Sequence, residues 1–235
     1  MSEAIAIPSA ASAPLSAEVL KARQLGQIAV EMPGATAVFR RLKLDFCCGG
    51  NVPLAAACEA KELDVDTIST ELLRLDRRTA APEADAPGVL IDHILKRYHE
   101  VHRQQLPELI RMARRVEAVH RENPDCPTGL SVVLEEMESE LLDHMNKEET
   151  ILFPILRQGG SPFAGGPIAV MRMEHTSHGE QIARLLAMTQ DATPPAGACT
   201  TWRALYAGIE QLVNDLMEHI HLENNRLFVQ FEATH

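Results

Sequence analysis

The chain has 235 residues, 46% hydrophobic and only 4% aromatic, with 33 acidic against 22 basic side chains and a formal charge of −11. That length suits one large domain or a medium one with a small companion, and a chain rich in Leu, Ala, Glu and Met favours helices over sheets. The acidic balance, without a Lys/Arg cluster, argues against nucleic acid or an anionic membrane as partner. No stretch reaches the roughly 18–20 apolar residues of a membrane span.

Residues 1–16 form an Ala/Ser/Pro/Ile tract expected to be a disordered tail; it has no basic start and is a poor secretory signal. Residues 17–78 read as a small helical domain broken by Leu44-Asp45-Phe46-Cys47-Cys48-Gly49-Gly50-Asn51. The five cysteines are odd in number, and a bridge between the adjacent Cys47 and Cys48 would be strained. A disulfide framework is therefore not expected, and a reducing cytoplasm is. Residues 79–88, rich in Ala and Pro, read as a linker.

Four long helical patterns follow, at about 89–121, 128–157, 167–190 and 199–230, separated by Pro- and Gly-containing turns. Short connections favour antiparallel neighbours, so residues 89–231 are expected to form an up-down-up-down four-helix bundle in an all-α protein. Pro107 and Pro154 fall inside these patterns and predict kinks or an early end.

The apolar seams of two of these helices are interrupted in the same way. In the second, Leu130, Leu134, Met137, Leu141, His144, Glu148, Ile151 and Ile155 follow an inward stripe; in the fourth, Trp202, Leu205, Ile209, Leu212, Leu216, His219 and Glu223 do. A buried imidazole and carboxylate without partners cost several kcal/mol, so each His-x-x-x-Glu pair needs company. His99 and His175 lie on the other two seams. Counted from the turns at about 1.5 Å per residue, all six groups fall in one layer of the bundle.

Imidazole and carboxylate without thiolate suit iron, manganese or zinc. Glu148 and Glu223 are each able to bridge two ions. Four imidazoles, two bridging carboxylates and an oxo or hydroxo bridge fill roughly ten of the twelve positions of two octahedral ions, leaving about one open on each. An open position marks a reactive or exchanging site rather than a closed structural one. His102 and His178 also lie on seams, each three residues after a favoured ligand, and register does not exclude them. His120 belongs to the bundle end, while His93, His221 and His235 read as peripheral. Glu140, one turn before His144, and Glu174, beside His175, are candidates for outer acids or proton carriers, or are simply solvated.

Cys47 and Cys48 precede Val52-Pro53-Leu54, which reads as a helix start, and a thiol near a helix N-terminus has more thiolate character. The functional readings are thiol exchange, transfer of a soft metal, or a sulfur handle on a client. The plain reading is two small residues in a tight corner.

The two halves together resemble the repair of iron centres family of di-iron proteins, in which a short N-terminal di-cysteine domain precedes a hemerythrin-like bundle. The likeness covers residues 17–231 and rests on Asp45-Phe46-Cys47-Cys48-Gly49-Gly50, Lys61-Glu62-Leu63-Asp64-Val65, Ile91-Asp92-His93-Ile94, Arg97-Tyr98-His99 and Gln105-Leu106-Pro107-Glu108-Leu109-Ile110. Lys147-Glu148-Glu149 with Ile151-Leu152-Phe153-Pro154, and Leu222-Glu223-Asn224-Asn225, complete it. The resemblance implies that His99, His144, His175 and His219 bind iron and that Glu148 and Glu223 bridge, giving two iron ions per chain with an oxo or hydroxo bridge. It also implies a cytoplasmic stress protein that helps restore iron–sulfur clusters after nitrosative or oxidative damage. The partners implied are damaged iron–sulfur proteins or apo-clusters, and nitric oxide or oxygen as small ligand. Mechanisms in keeping with it are iron donation and binding or reduction of nitric oxide.

Oxygen-carrying hemerythrins use more histidines and fewer glutamates, so this chain departs toward open coordination. His178 as an extra ligand would close a position and weaken the donation reading. Two alternatives stand beside repair: a nitric oxide or oxygen sink or sensor without delivery, and a helical bundle with adventitious zinc. The exposed di-cysteine leaves both monomer and dimer open.

Overall fold

The computed structural model describes residues 16–75 and 86–232. The expected tail up to residue 15, the part of the expected linker over 79–85, and His235 lie outside the described residues. Among the described residues five short helices come first: α1 (Ala17–Ala22), α2 (Leu25–Glu31), α3 (Ala35–Arg41), α4 (Leu54–Glu59) and α5 (Val65–Leu73). Four long helices follow: α6 (87–120), α7 (130–157), α8 (Gly165–Met188) and α9 (200–230).

Local chemistry sets several of these ends. Ser16 caps α1 by accepting from the Val19 amide at 3.3 Å, and Asp64 caps α5 by accepting from the Asp66 amide at 3.1 Å. Pro87 occupies the first helical position of α6, where its missing N–H costs nothing, so the bundle begins slightly before the expected boundary. Gly129 enters α7 with φ of 89°, a left-handed backbone that side chains resist.

The long helices form a square: α6 packs on α7 and α9, and α8 on the same two. Three of them are not uniform α-helices. Leu95–His99 in α6, Glu148–Leu152 in α7 and Glu223–Leu227 in α9 are single π turns, closed by bonds from Glu100, Phe153 and Phe228 to the carbonyls five residues earlier. Each π turn begins or ends at a seam ligand candidate, in keeping with the frequent placement of such turns at functional sites.

The π turn in α7 changes which residues face inward. The α-helical seam continues to Ile151 and Ile155, yet Ile151 is 53% exposed and Ile155 only half-buried, while Leu152, Phe153 and Leu156 are buried. One extra residue in the turn advances the inward face by one position. Pro154 follows directly, and the wider turn accommodates its missing N–H and its ring without ending the helix. Pro107 sits inside a continuous helical stretch.

The layer of seam histidines and glutamates lies between two apolar clusters. Leu90, Ile91, Ile94, Phe153, Leu156, Met171 and Phe228 close one side. On the other, bundle residues such as Leu106, Leu141, Ile209 and Leu216 share one core with Leu20, Phe39, Phe46 and Leu54 of the N-terminal module. The module is thus packed onto the bundle. Its di-cysteine loop is tied to the α1–α2 junction by Gly26 N–H to Gly50 O (2.8 Å) and Leu54 N–H to Arg23 O (2.8 Å). Gly26 and Gly50 meet where any side chain would collide: a Cβ on Gly26 would lie 2.6 Å from Asn225 Oδ1, and one on Gly50 2.7 Å from Phe46 O. No helix among the described residues is long and apolar enough to cross a membrane.

Candidate metal centre

The six seam groups converge. His99 and His144, contributed by α6 and α7, face His219 of α9 and His175 of α8 respectively, and all four rings are buried. The Nε2 atoms of His99 and His219 lie 3.1 Å apart, and those of His144 and His175 also 3.1 Å. Glu148 Oε2 sits 3.4 Å from Nε2 of both His99 and His144. Glu223 places Oε1 3.0 Å from His219 Nε2 and Oε2 3.1 Å from His175 Nε2. Each carboxylate therefore spans both histidine pairs. Two overlapping groups result, His99–Glu148–His219–Glu223 and His144–Glu148–His175–Glu223, with ligand atoms in each within 4.8 Å of one another.

Protonation makes this arrangement a cation site. His99 Nδ1 donates to Glu149 Oε1 (2.7 Å), His144 Nδ1 to Glu174 Oε2 (2.9 Å) and His175 Nδ1 to Asn224 Oδ1 (2.9 Å). In a neutral ring a proton on Nδ1 leaves the lone pair on Nε2, so these lone pairs point at the centre. Burial lowers the His99 pKa to about 4 and pushes His144 down too, so these two rings are neutral near pH 7. Both oxygens of Glu148, and Oε2 of Glu223, have no hydrogen-bond donor despite complete burial. Burial pushes the Glu148 carboxyl up, with the Glu223 charge adding to it. Although burial works against its charge too, Glu223 is held below the usual carboxylate range by His219 and His175. Facing lone pairs and orphaned carboxylate oxygens repel or starve without a cation between them, and two cations satisfy all of them.

The surroundings fix the rings. Arg103 holds Glu149 at 2.8 Å, and Lys147 holds Glu174 at 2.7 Å, so each outer carboxylate that orients a ring is itself paired. Tyr98 stacks on His219, Phe153 on His99 and Phe228 on His175, with ring centroids 5.4, 5.7 and 5.9 Å apart.

The remaining candidates divide. Glu174 contacts His144, whereas Glu140 accepts from Gln181 (2.7 Å), whose Oε1 meets His178 Nδ1 (3.1 Å). His102 and His178 belong to neither four-residue group. Their rings sit 5.5 Å from His219 and 5.0 Å from His144, a layer away, and both nitrogens of His102 lack a partner. His120 lies at the far end, with Nε2 3.2 Å from Cys199 Sγ. His93 packs edge-on against Tyr98. His221, expected to be peripheral, is buried, because the N-terminal module lays Phe46 against its ring at 5.4 Å.

Sequence reasoning passed over two groups. Glu149 looks like a solvated neighbour of Glu148, and only Arg103, one turn after His99, hints at its partner. Asn224 links the centre to the module: it accepts from His175 and donates to Cys47 O at 3.0 Å.

The di-cysteine loop differs from its expected electronic setting. A helix does start at Leu54, but Cys47 and Cys48 form a turn around Asp45, whose Oδ1 accepts from both amides at 3.2 and 2.9 Å. The Cys47 thiol is pushed well up by its contact with Cys48 and by burial. Cys48 Sγ donates to His175 O at 3.1 Å.

Comparison with known proteins agrees with this geometry. Residues 90–231 match the hemerythrin HHE cation binding domain family, and residues 21–76 match ScdA_N, a domain of unknown function. The chain is 48% identical over 209 residues to the iron–sulfur cluster repair protein YtfE of Dickeya chrysanthemi, covering 88% of this chain and 95% of that one. It is 50% identical over 206 residues to the proteins of the same name from Escherichia coli O1:K1 and Escherichia fergusonii, covering 87% of this chain and 94% of theirs. The chain belongs to the hemerythrin HHE family and, within it, to the group of the iron–sulfur cluster repair proteins.

Proposed function

We propose that this member of the iron–sulfur cluster repair group holds two iron ions, joined by an oxo or hydroxo bridge, and releases iron to rebuild clusters damaged by nitrosative or oxidative stress. One observation carries the reading: two facing imidazole pairs share two buried carboxylates that nothing else satisfies. When bound, the ions supply Lewis acidity and redox capacity. The chain would supply two imidazole nitrogens and two carboxylate oxygens to each ion. With the bridge counted, about one of six octahedral positions stays open on each. A position left open would give an acceptor's ligand access to the ion.

Charge supports release as well as retention. Two carboxylates would neutralise only half the charge of two divalent cations, so the buried layer would hold them less tightly than a fully neutralised site. Glu149 and Glu174 keep protons on Nδ1 of His99 and His144, which holds Nε2 ready to rebind. Damaged iron–sulfur proteins or their apo-forms are the acceptors, and the setting is the cytoplasm.

The same open positions favour a second reading, nitric oxide binding or reduction without delivery. The test mixes anaerobically purified, iron-loaded protein with an apo-ferredoxin, sulfide and a thiol reductant. Repair predicts a cluster absorption that grows as protein-bound iron falls, and no growth with Glu223→Ala. If the protein binds nitric oxide but keeps all its iron beside the acceptor, the sink replaces the repair protein.

A further inference from the structure

We propose that Asp45, Cys47 and Cys48 form a separate site for a single thiophilic divalent cation, placed between the buried centre and the surface, where a ferrous ion leaving the bundle is taken up in transit. The site stands on its own geometry; only its transit role rests on the iron-donation reading.

The sulfur atoms of Cys47 and Cys48 are 3.7 Å apart. Two thiolates bound tetrahedrally to one ion at about 2.3 Å each would be about 3.8 Å apart, so the pair already has the bite of a metal chelate. Adjacent side chains are held this way because the Asp45 turn pins both backbone amides. Asp45 Oδ1 is engaged in that turn and with Cys47 Sγ at 3.3 Å, which leaves Oδ2 as the third donor. One donor atom from each of the three residues falls within 4.8 Å of the others. Gly49 keeps that oxygen clear, since a Cβ there would lie 3.0 Å from Asp45 Oδ2.

Position gives the site its meaning. Cys48 Sγ is 3.1 Å from the carbonyl of His175, and Asn224 joins the His175 ring to the Cys47 carbonyl. On the other side Asp45, Cys47 and Cys48 line a crevice of about 920 Å³ between the N-terminal module and the bundle, rimmed by Arg40, Arg41, Lys43 and Lys61. Three protein donors leave the fourth tetrahedral position facing this crevice, open to water or to a thiolate brought by an acceptor. Cation entry displaces the two thiol protons to crevice water, and no electron changes hands. Passing the ion on exchanges Cys47 and Cys48 for the acceptor's sulfurs, and the two thiols take protons back.

The test uses the full chain with its bundle iron in place, reduced with a phosphine and kept free of oxygen, and adds zinc as probe. X-ray absorption at the zinc edge should show two sulfur neighbours at about 2.3 Å. One zinc per chain should bind, bound iron should stay constant, and zinc should shield two thiols from a thiol reagent. Cys48→Ser should remove one sulfur neighbour and weaken zinc at least about 100-fold, and Asp45→Asn should weaken it with both sulfurs kept. Cys58→Ser, altering a buried thiol of the same module, should change nothing. A zinc shell of oxygen and nitrogen only, or a sulfur shell surviving in the Cys47→Ser/Cys48→Ser variant, would overturn the site. Iron measured in the same samples keeps that failure separate from a failure of the buried centre.

Discussion

The two halves of the metal layer have the same donors and different neighbours. His99 and His219 look onto Tyr98, Phe153 and the Glu149–Arg103 pair, all belonging to the bundle. His144 and His175 look onto Glu174, Lys147 and His178, and His175 also touches the di-cysteine loop directly and through Asn224. Equal ligands give similar intrinsic affinity, so on the iron-donation reading the environment would decide which ion leaves. The His144/His175 side, coupled to a separate module and a crevice, is the side the proposed exchange would use.

The shared carboxylates belong to both halves, so removing either one should cost both. Glu148→Ala and Glu223→Ala should each fall from about two irons per chain to less than about half, through loss of two bonds and exposure of facing lone pairs. A variant that keeps one tightly bound iron would show the halves to be independent.

Glu174→Gln and Glu149→Gln act on one half each. Each removes the charge that orients one ring, at a cost of about 10–100-fold in affinity for the ion on its own side. Ferrous chelation kinetics should resolve two phases, with Glu174→Gln speeding the faster and Glu149→Gln the slower. A single phase accelerated equally by both would erase the distinction.

A smaller effect belongs to one half only. Asn224→Ala leaves His175 Nδ1 and the Cys47 carbonyl without a partner, which costs about 1–3 kcal/mol. Thermal unfolding of the metal-free chain should show that loss, and Cys48 should react faster with a thiol reagent. Unchanged thiol reactivity would mean that the module does not depend on this link.

The smallest effect concerns acid. Burial lowers His178 and His221 to about 4 from 6.5, so the unfolded chain takes up protons before the folded one does. Their contribution to stability is intact above about pH 6.5, declines as the pH falls through this window, and levels off near pH 4. Denaturant midpoints of the metal-free chain should follow that course, and His178→Gln should flatten it. A profile independent of pH between 7 and 4.5 would contradict the burial of neutral rings.

Much of this was legible from spacing. Leu141, His144 and Glu148, like Leu216, His219 and Glu223, fall three or four residues apart on α-helical turns, and the structure keeps that phase up to the carboxylate. Beyond it the π turn shifts the phase, and Ile151 gives way to Leu152 and Phe153. Periodicity alone does not contain that shift, because a π turn answers to what the layer encloses as well as to local preference. Pro154, directly after the turn, was a local trace of it in α7; α6 and α9 have no proline within or directly after their π turns. The outer groups were hidden for another reason. Glu149 and Asn224 adjoin ligands in sequence, and their roles come from Arg103 and Cys47, brought to them by tertiary packing. Cys47 illustrates the same limit, since nearness to a helix start suggested a thiolate whereas burial against Cys48 and Asp45 keeps the proton on.

Two irons in the His/Glu layer can be seen directly by anomalous diffraction at the iron edge from crystals of protein purified without oxygen. Two iron peaks are expected, one within bonding distance of Nε2 of His99 and His219 and the other of Nε2 of His144 and His175, with Glu148 and Glu223 bound to both. A single peak, or iron bound by His102 or His178 in place of a seam carboxylate, would contradict that arrangement.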